Sequence, residues 1–403
     1  MTAEKHQEAS PETIAAASPW RAAGHRFRSD ILAMSGLIGI GMILLPAIIA
    51  PFLANGRPLL VWGPQGISMP FLRYFFAPDG TEVMVEMIFN YLALFLLGGV
   101  ALWFGLRSRP GWRMRALAAL ALLLLIPFIL VPKRMDHTDW RNQVKTLPAG
   151  TVAIFAPVKF GPTEQTAKPY LKYAEGHWLG TDQIGRDVLS RLIYGARVSL
   201  AVGILATLLE IMIGVAAGMV SGYFGGRLDL ALMRAVEIII CFPTFLLLLI
   251  LMSLFMDFQF KQSILIVIAV LGLTGWTGLC RLVRGEVLKN RALAYIQSCV
   301  SLGIPTWRIM LFHLLPNITG PIMVAFTFGI AGAIEAESGL SFLGFGVQAP
   351  TASWGELLRQ AFDNPFEYWH LTLWPGLALF LTVLAFNFTG EGLRKVFDPR
   401  GSK

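Results

Sequence analysis

The sequence predicts an all-α polytopic protein that crosses a membrane about eight times. Three observations point there. Of its 403 residues, 55% are hydrophobic and only 14% are charged, whereas soluble globular chains carry roughly 25% charge. Several apolar runs approach or exceed the length of about 18 residues that marks a membrane span. Finally, the short loops between these runs concentrate their Lys and Arg on one side, the pattern of cytoplasmic loops.

The candidate helices cover about 31–53, 83–105, 115–131, 198–220, 236–256, 263–282, 318–336 and 371–390. The third is short for a span. The first is retained rather than cleaved, because a polar, Arg-containing leader precedes a span-length run with no small-residue cleavage signal. The leader itself is rich in Ala, Ser, Glu and Pro, a composition without a core.

Orientation follows from the basic loops. Arg21, Arg26 and Arg28 precede the first helix, and Arg107, Arg109, Arg113 and Arg115 separate the second from the third. Arg281, Arg284, Lys289, Arg291 and Arg308 separate the sixth from the seventh, and Arg394, Lys395, Arg400 and Lys403 follow the eighth. Counting helices puts all four groups on one face, which the positive-inside rule makes cytoplasmic, with both termini. The loop at 132–197 lies on the opposite face and is long enough that its own charges need not govern topology. Within it, 186–197 places Val188, Leu189, Leu192 and Ile193 on one stripe and the Asp187/Arg191 pair on the other. That pattern predicts a helix lying on the membrane surface.

The cytoplasmic segment from Arg281 to Pro316 is too long for a turn. Ala292, Tyr295, Ile296, Cys299 and Val300 form an apolar-leaning face, while Gln297, Ser298 and Ser301 point elsewhere. Gly303-Ile304-Pro305 stops the helix. A short amphipathic helix held between two spans is suited to docking a partner protein.

Charged residues inside spans are costly and usually face protein or water. Glu210, in the fourth helix, either lines a translocation path or makes an interhelical hydrogen bond. Glu237 lies near a helix end, within reach of the interface. Glu335 and Glu337 sit at the external end of the seventh helix.

Other functions find little support. The basic residues form no single tract for nucleic acid. Cys241, Cys280 and Cys299 form no Cys-x-x-Cys pair and read as small thiols in or beside spans. His177, Asp182 and Asp187 fit no standard metal spacing, and the other histidines are dispersed. No Gly-Lys dipeptide occurs, so no phosphate-binding loop is present and ATP hydrolysis by this chain is not expected.

Several motifs, in order, carry a resemblance. Tyr295 through Gly303, then Arg308-Ile309 and His313-Leu314-Leu315-Pro316-Asn317, resemble the EAA loop of binding-protein-dependent ABC importer permeases. In that family the loop forms a coupling helix that seats on the ATPase. Gln297-Ser298-Cys299 stand where Glu-Ala-Ala is usual, which removes a charge. His177-Trp178-Leu179-Gly180-Thr181-Asp182 with Gly185 through Arg191 resembles an external motif of the oligopeptide and dipeptide permeases of the C type. Gly222 through Asp229 resembles their cytoplasmic turn. Glu337 through Gly346, including Phe345, with Ser353-Trp354-Gly355, resembles the external motif before their last helix, and Phe397-Asp398-Pro399-Arg400 their ending.

The resemblance implies a six-helix ABC importer transmembrane core; it does not account for 55–175, where the two extra helices at 83–105 and 115–131 read as an inserted two-helix hairpin. The parts are a leader (1–30), a first transmembrane helix (31–53), an external segment with the inserted hairpin (54–131), and a periplasmic loop with an interfacial helix (132–197). A core permease domain (198–392) carrying the coupling loop (283–316) and a cytoplasmic tail (393–403) complete the chain. The resemblance further implies ATPase coupling through Tyr295, Ile296, Gln297, Ser298, Cys299, Gly303 and Arg308, and a structural or gating role at Glu337, which matches a family position. Glu210 and Glu237 join it as translocation-path or gating candidates only by their placement in spans. Periplasmic contacts would fall at Trp178, Asp182, Arg186, Asp187, Phe345 and Trp354. The implied partners are a second, homologous permease, two P-loop ATPases that bind ATP and Mg, a periplasmic solute-binding protein and the lipid bilayer, in a bacterial inner membrane. This chain itself would bind no cofactor. Substrates of such permeases include oligopeptides, dipeptides, glutathione, peptide antibiotics and nickel chelates. An ion-coupled secondary transporter and a membrane scaffold or receptor are the alternatives.

Overall fold

The computed structural model describes residues 19–64, 66–76, 78, 82–107, 110–130, 140–146, 151–173, 176–257 and 263–397. The leader before residue 19, Arg109, most of 131–150 and the ending at 398–403 lie outside the described residues. A short helix α1 (Pro19–Ser29) leads into α2 (Ile31–Ile48). Asp30 starts α2 by accepting hydrogen bonds from the amides of Leu32 at 2.9 Å and Ala33 at 3.1 Å, which satisfies donors that a helix start leaves open. One turn, α3 (Ala50–Leu53), follows. Strands β1 (Leu60–Gly63) and β2 (Gly66–Ser68) then form an antiparallel hairpin, later joined by β3 (Val152–Ile154) in the order β2-β1-β3. The short helix α4 (Pro70–Phe76) precedes α5 (Val83–Gly105) and α6 (Pro110–Leu130), and α7 (Trp140–Lys145) comes before β3.

The central helix is α8 (Val188–Phe224), 37 residues long, about 55 Å at 1.5 Å per residue. That exceeds the roughly 30 Å hydrocarbon core, so α8 runs from the extramembrane layer on one side toward the other side. This corrects the surface helix expected at 186–197: the first three turns of α8 are buried and continuous with the span. Asp187 and Arg191 are satisfied inside the protein rather than by water.

Helices α9 (Gly226–Ile240) and α10 (Thr244–Asp257) stand where one span was expected at 236–256, bent against each other by 83°. Pro243 has no amide to continue the ladder, and the Cys241-Phe242-Pro243 turn makes the corner. Next come α11 (Ser263–Arg291), α12 (Ala294–Ser301) and the single turn α13 (Thr306–Arg308). A six-residue π-helix at Ile309–Leu314 runs into α14 (Leu315–Phe342). Pro316 lacks a donor for the α-pattern there. Helices α15 (Trp354–Arg359) and α16 (Trp369–Phe397) close the chain.

Small residues draw the spans together. Gly214, Gly218 and Gly222, one per turn of α8, face α11. An added Cβ would lie 3.0 Å from the Trp276 oxygen, 2.6 Å from the Cys280 oxygen and 2.9 Å from the Arg284 oxygen. Backbones this close gain packing that larger side chains would forbid, the usual source of helix association in lipid. Gly36 of α2 abuts Ala385 and Thr389 of α16 in the same way. The main core collects Val198, Leu200 and Val202 of α8, Val267 and Leu271 of α11, and Ile330 and Ile334 of α14.

Helix α5 joins that core through Val85 and Phe89, whereas α6 packs on α5 and buries Phe128, near its end, in a separate cluster with Phe71, Phe75 and Ala93. Arg197 ties α5 to the bundle. Its buried guanidinium donates to the carbonyls of Ala47 at 2.6 Å and Ile48 at 3.0 Å, and to Asn90 Oδ1 at 2.9 Å. It thereby satisfies the open carbonyl end of α2 with a positive charge.

Candidate functional site

Helix α12 sits between the spans α11 and α14. Ile296, at 1% exposure, anchors it in a cluster with Met219, Val283, Val287, Ile309, Leu314 and Ile318. Cys299 is half-buried against the same cluster. The Tyr295 hydroxyl accepts from Asn317 Nδ2 at 2.8 Å and donates to Asn290 Oδ1 at 3.3 Å, latching α12 to both neighbouring spans. Gln297, Ser298 and Ser301 are exposed. The two serine hydroxyls return to carbonyls one turn back, each at 3.0 Å.

Gly303 ends α12 with φ +70. The Ile304 amide bonds the Cys299 carbonyl at 3.1 Å and the Gly303 amide bonds the Val300 carbonyl at 3.0 Å, the paired bonds of a Schellman stop. Nothing lies within 4 Å of a Cβ built at Gly303. Glycine is therefore required there by backbone conformation and not by space.

The outward surface is apolar and basic. Val300, Leu302, Trp307 and Phe312 are exposed, Arg308 lies 5.4 Å from the Trp307 ring, and 287–317 contains no acidic residue. Trp307, Leu302 and Asn317 belong to this surface although the sequence reading did not single them out as site residues. The exposed aromatic two residues past a helix-stopping Gly-Ile-Pro was the available signal for Trp307. The base of the loop is fixed by Asp229 of α9, whose carboxylate accepts from Arg284 Nε at 2.6 Å and Nη2 at 2.7 Å and from the Ser221 hydroxyl.

At the other end a buried ionic cluster joins four chain segments. Asp182 accepts from Arg186 Nε at 2.6 Å and lies 3.4 Å from Arg191 Nε. Arg191 donates to Glu356 at 2.5 Å and to the carbonyls of Pro162 at 2.9 Å and Pro350 at 3.2 Å. Two arginines thus face two carboxylates. Burial, followed by the charge of Arg191, pulls the Arg186 guanidinium below its ordinary value. Asp187 caps α8 through the Ser190 amide at 2.7 Å and pairs with His177 at 2.8 Å. Burial holds its carboxyl above the usual range.

Trp354 Nε1 donates to the Leu192 carbonyl at 3.1 Å. Asp182, Arg186, Asp187 and Trp354 are therefore interior and at most 2% exposed. This corrects their reading as surface contacts: their side chains hold the framework, because an unpaired charge in such a site is too costly. Phe345 is half-buried against the core. Of the six contact candidates Trp178 is 58% exposed and Phe345 partly exposed, while the other four are buried.

The three span carboxylates stay apart. Glu337 is fully buried and accepts from Ser341 at 2.7 Å, Ser199 at 3.0 Å and Ser338 at 3.4 Å. Its hydroxyl shell links α8 to α14. Glu210 is half-buried and its carboxyl fills the notch at Gly275 of α11. Glu237 is exposed and pairs with Arg234 at 2.7 Å.

Among the described residues no group of three His, Cys, Asp or Glu is arranged to hold a metal ion. Among the described residues seven helices, or eight counting the bent pair α9–α10, are long and apolar enough to cross a membrane. With a short helix presented between two of them, they define a multi-pass, mostly helical membrane protein. A family model described as the binding-protein-dependent transport system inner membrane component matches residues 214–403. A second, the N-terminal TM domain of oligopeptide transport permease C, matches 18–67.

The dipeptide transport system permease protein DppC of Bacillus subtilis is 41% identical over 239 residues, 59% of this chain and 72% of the relative. The oligopeptide transport system permease protein OppC of Haemophilus influenzae is 33% identical over 326 residues, 78% and 94% of the two chains. The glutathione transport system permease protein GsiD of Pectobacterium atrosepticum is 33% identical over 300 residues, 72% and 98%. The chain belongs to the family of inner-membrane components of binding-protein-dependent transport systems.

Proposed function

We propose that this chain is one of two permease subunits of an ATP-driven ABC importer for peptides or peptide-like solutes. The observation that carries the reading is α12: a short helix held between α11 and α14, anchored by Ile296, stopped at Gly303 and exposing Gln297, Ser298 and Ser301. Motion of such a helix is transmitted to both spans through Tyr295, which bonds Asn290 on one side and Asn317 on the other.

In this reading two separate P-loop ATPases supply ATP and Mg and dock at α12 and at its counterpart on a second, homologous permease. Closing the ATPases pulls α12 and, through it, α14, which carries the Glu337–serine junction to α8. Arg308 completes the docking surface. A periplasmic solute-binding protein delivers substrate to the face that bears Trp178, and the Arg-rich loops and both termini lie in the cytoplasm. Glu210 borders the path.

Substrate class rests on the relatives, whose names include dipeptide, oligopeptide and glutathione transport. The test is affinity purification of the tagged chain from native membranes, followed by uptake of labelled peptide in proteoliposomes. The reading predicts co-recovery of a permease and P-loop ATPases, and uptake that needs ATP and survives an uncoupler. Uptake that follows an ion gradient without ATP would overturn it.

A further inference from the structure

The three-stranded sheet is apolar on a side that the chain leaves uncovered. An outer sheet face in water ordinarily carries polar residues at alternate positions. Here Trp62, Ile67, Val152 and Ile154 are 64%, 68%, 56% and 51% exposed. The register sets them side by side, with Trp62 opposite both Ile67 and Val152, and Leu60 opposite Ile154. Residues two apart share a face, so these side chains make one patch. Val61 points the other way and is buried.

The level of the sheet is set by α4. Only Met69 separates β2 from α4. The Phe75 carbonyl of α4 accepts from Asn90 Nδ2 at 2.8 Å, and Asn90 lies seven residues into α5, about 10 Å along its axis. The Phe76 ring is 5.2 Å and the Phe75 ring 6.4 Å from Phe128, near the end of α6. Phe71 is 4.9 Å from Phe52 of α3. Helix α4 is thus wedged among the ends of membrane spans, below the tip of α5, and the sheet enters at that level. Exposed Met69 and Leu72 continue the apolar strip from the sheet into α4. Exposed apolar patches mark protein or membrane contacts, and Trp favours the headgroup level.

We propose that this sheet face is a membrane anchor, with Trp62, Ile67, Val152 and Ile154 set in the headgroup–acyl boundary of the leaflet opposite the 281–316 loop. Its ligand is the phospholipid surface. The anchor fixes the segment between α2 and α5 against the bilayer beside the buried ionic cluster's layer.

The test uses the full chain in nanodiscs of phosphatidylethanolamine and phosphatidylglycerol. A nitroxide is placed at Ile67→Cys or Val152→Cys after replacement of the three native cysteines. Collision with oxygen exceeding collision with a water-soluble nickel chelate is expected at both positions. A second measurement needs no cysteine replacement: quenching of Trp fluorescence by lipids brominated near the headgroup, compared between the native chain and Trp62→Phe. Loss of a quenchable component in Trp62→Phe is expected. Dominant collision with nickel, low collision with both reagents, or quenching unchanged in Trp62→Phe would each overturn the anchor. The first would leave the face in water, and the second would put protein on it.

Discussion

Arg191 and Glu356, 165 residues apart in the chain, meet at 2.5 Å in the interior and fasten the start of α8 to the short helix α15 that precedes α16. Both side chains are nearly inaccessible, at 0% and 5%. Removing one member of a buried pair costs about 3–5 kcal/mol, because the other charge is left without a partner. Arg191→Met is therefore expected to lower the thermal midpoint of the detergent-purified chain sharply. Arg191→Met with Glu356→Leu should recover part of the loss. An unchanged midpoint in the single variant would contradict the framework role.

Gly303 separates backbone from packing effects. Its φ of +70 costs a residue with a Cβ roughly 1–2 kcal/mol, and no neighbour obstructs the added atom. Recovery of ATPase with the tagged chain should fall in the order Gly, Asn, Ala, Val, since Asn tolerates the left-handed region best of the three replacements. Equal recovery across the series would remove the stop from the docking mechanism.

Tyr295→Phe deletes one hydroxyl that serves both Asn290 and Asn317. Each hydrogen bond contributes about 0.5–1.5 kcal/mol, so amide exchange across 294–301 should quicken severalfold while the bundle's exchange stays unchanged. Ile296→Ala, which empties a buried position at a cost of about 2–5 kcal/mol, should release α12 far more. Exchange in α12 unaltered by both substitutions would rule out the latch.

Asp30 supplies a pH dependence at the end of the bundle that holds α1. The Lys395 ammonium at 2.8 Å, and then the Ala33 amide, hold its carboxyl below the usual 3.8. A depressed folded value means the contribution is present above the unfolded value and lost as pH falls through the folded one. Exchange of the Leu32 and Ala33 amides, corrected for intrinsic rate, should be constant from neutrality to pH 3.8 and rise only below it. A rise beginning at higher pH would contradict the pairing with Lys395.

Much of the fold was legible because spans are written in long apolar runs, and the short helix α12 because Gly303-Ile304-Pro305 punctuates it. Residues 186–197 misled for a definite reason. Their polar stripe looks solvated within a window of twelve residues, yet Arg191 finds Glu356 and the Pro350 carbonyl far along the chain. The same long-range pairing hid Asp182, Arg186 and Trp354 inside the protein. The corner between α9 and α10 was available in Pro243, but the apolar run on both sides reads through it. Arg197 went unremarked because its acceptors, the Ala47 and Ile48 carbonyls, are backbone atoms at the end of another helix. A basic residue within the first turns of an apolar run is the signal that such an acceptor exists.

The central claim is that the exposed face of α12 seats on a separate ATPase. A photoreactive amino acid at Ser298, which is exposed and whose hydroxyl donates to the Ala294 carbonyl of its own helix, tests this directly in native membranes. The account predicts a single cross-linked product containing a P-loop ATPase, with none from the same group placed at the buried Ile296. Cross-linking from Ser298 to lipid alone, with the complex intact, would contradict it.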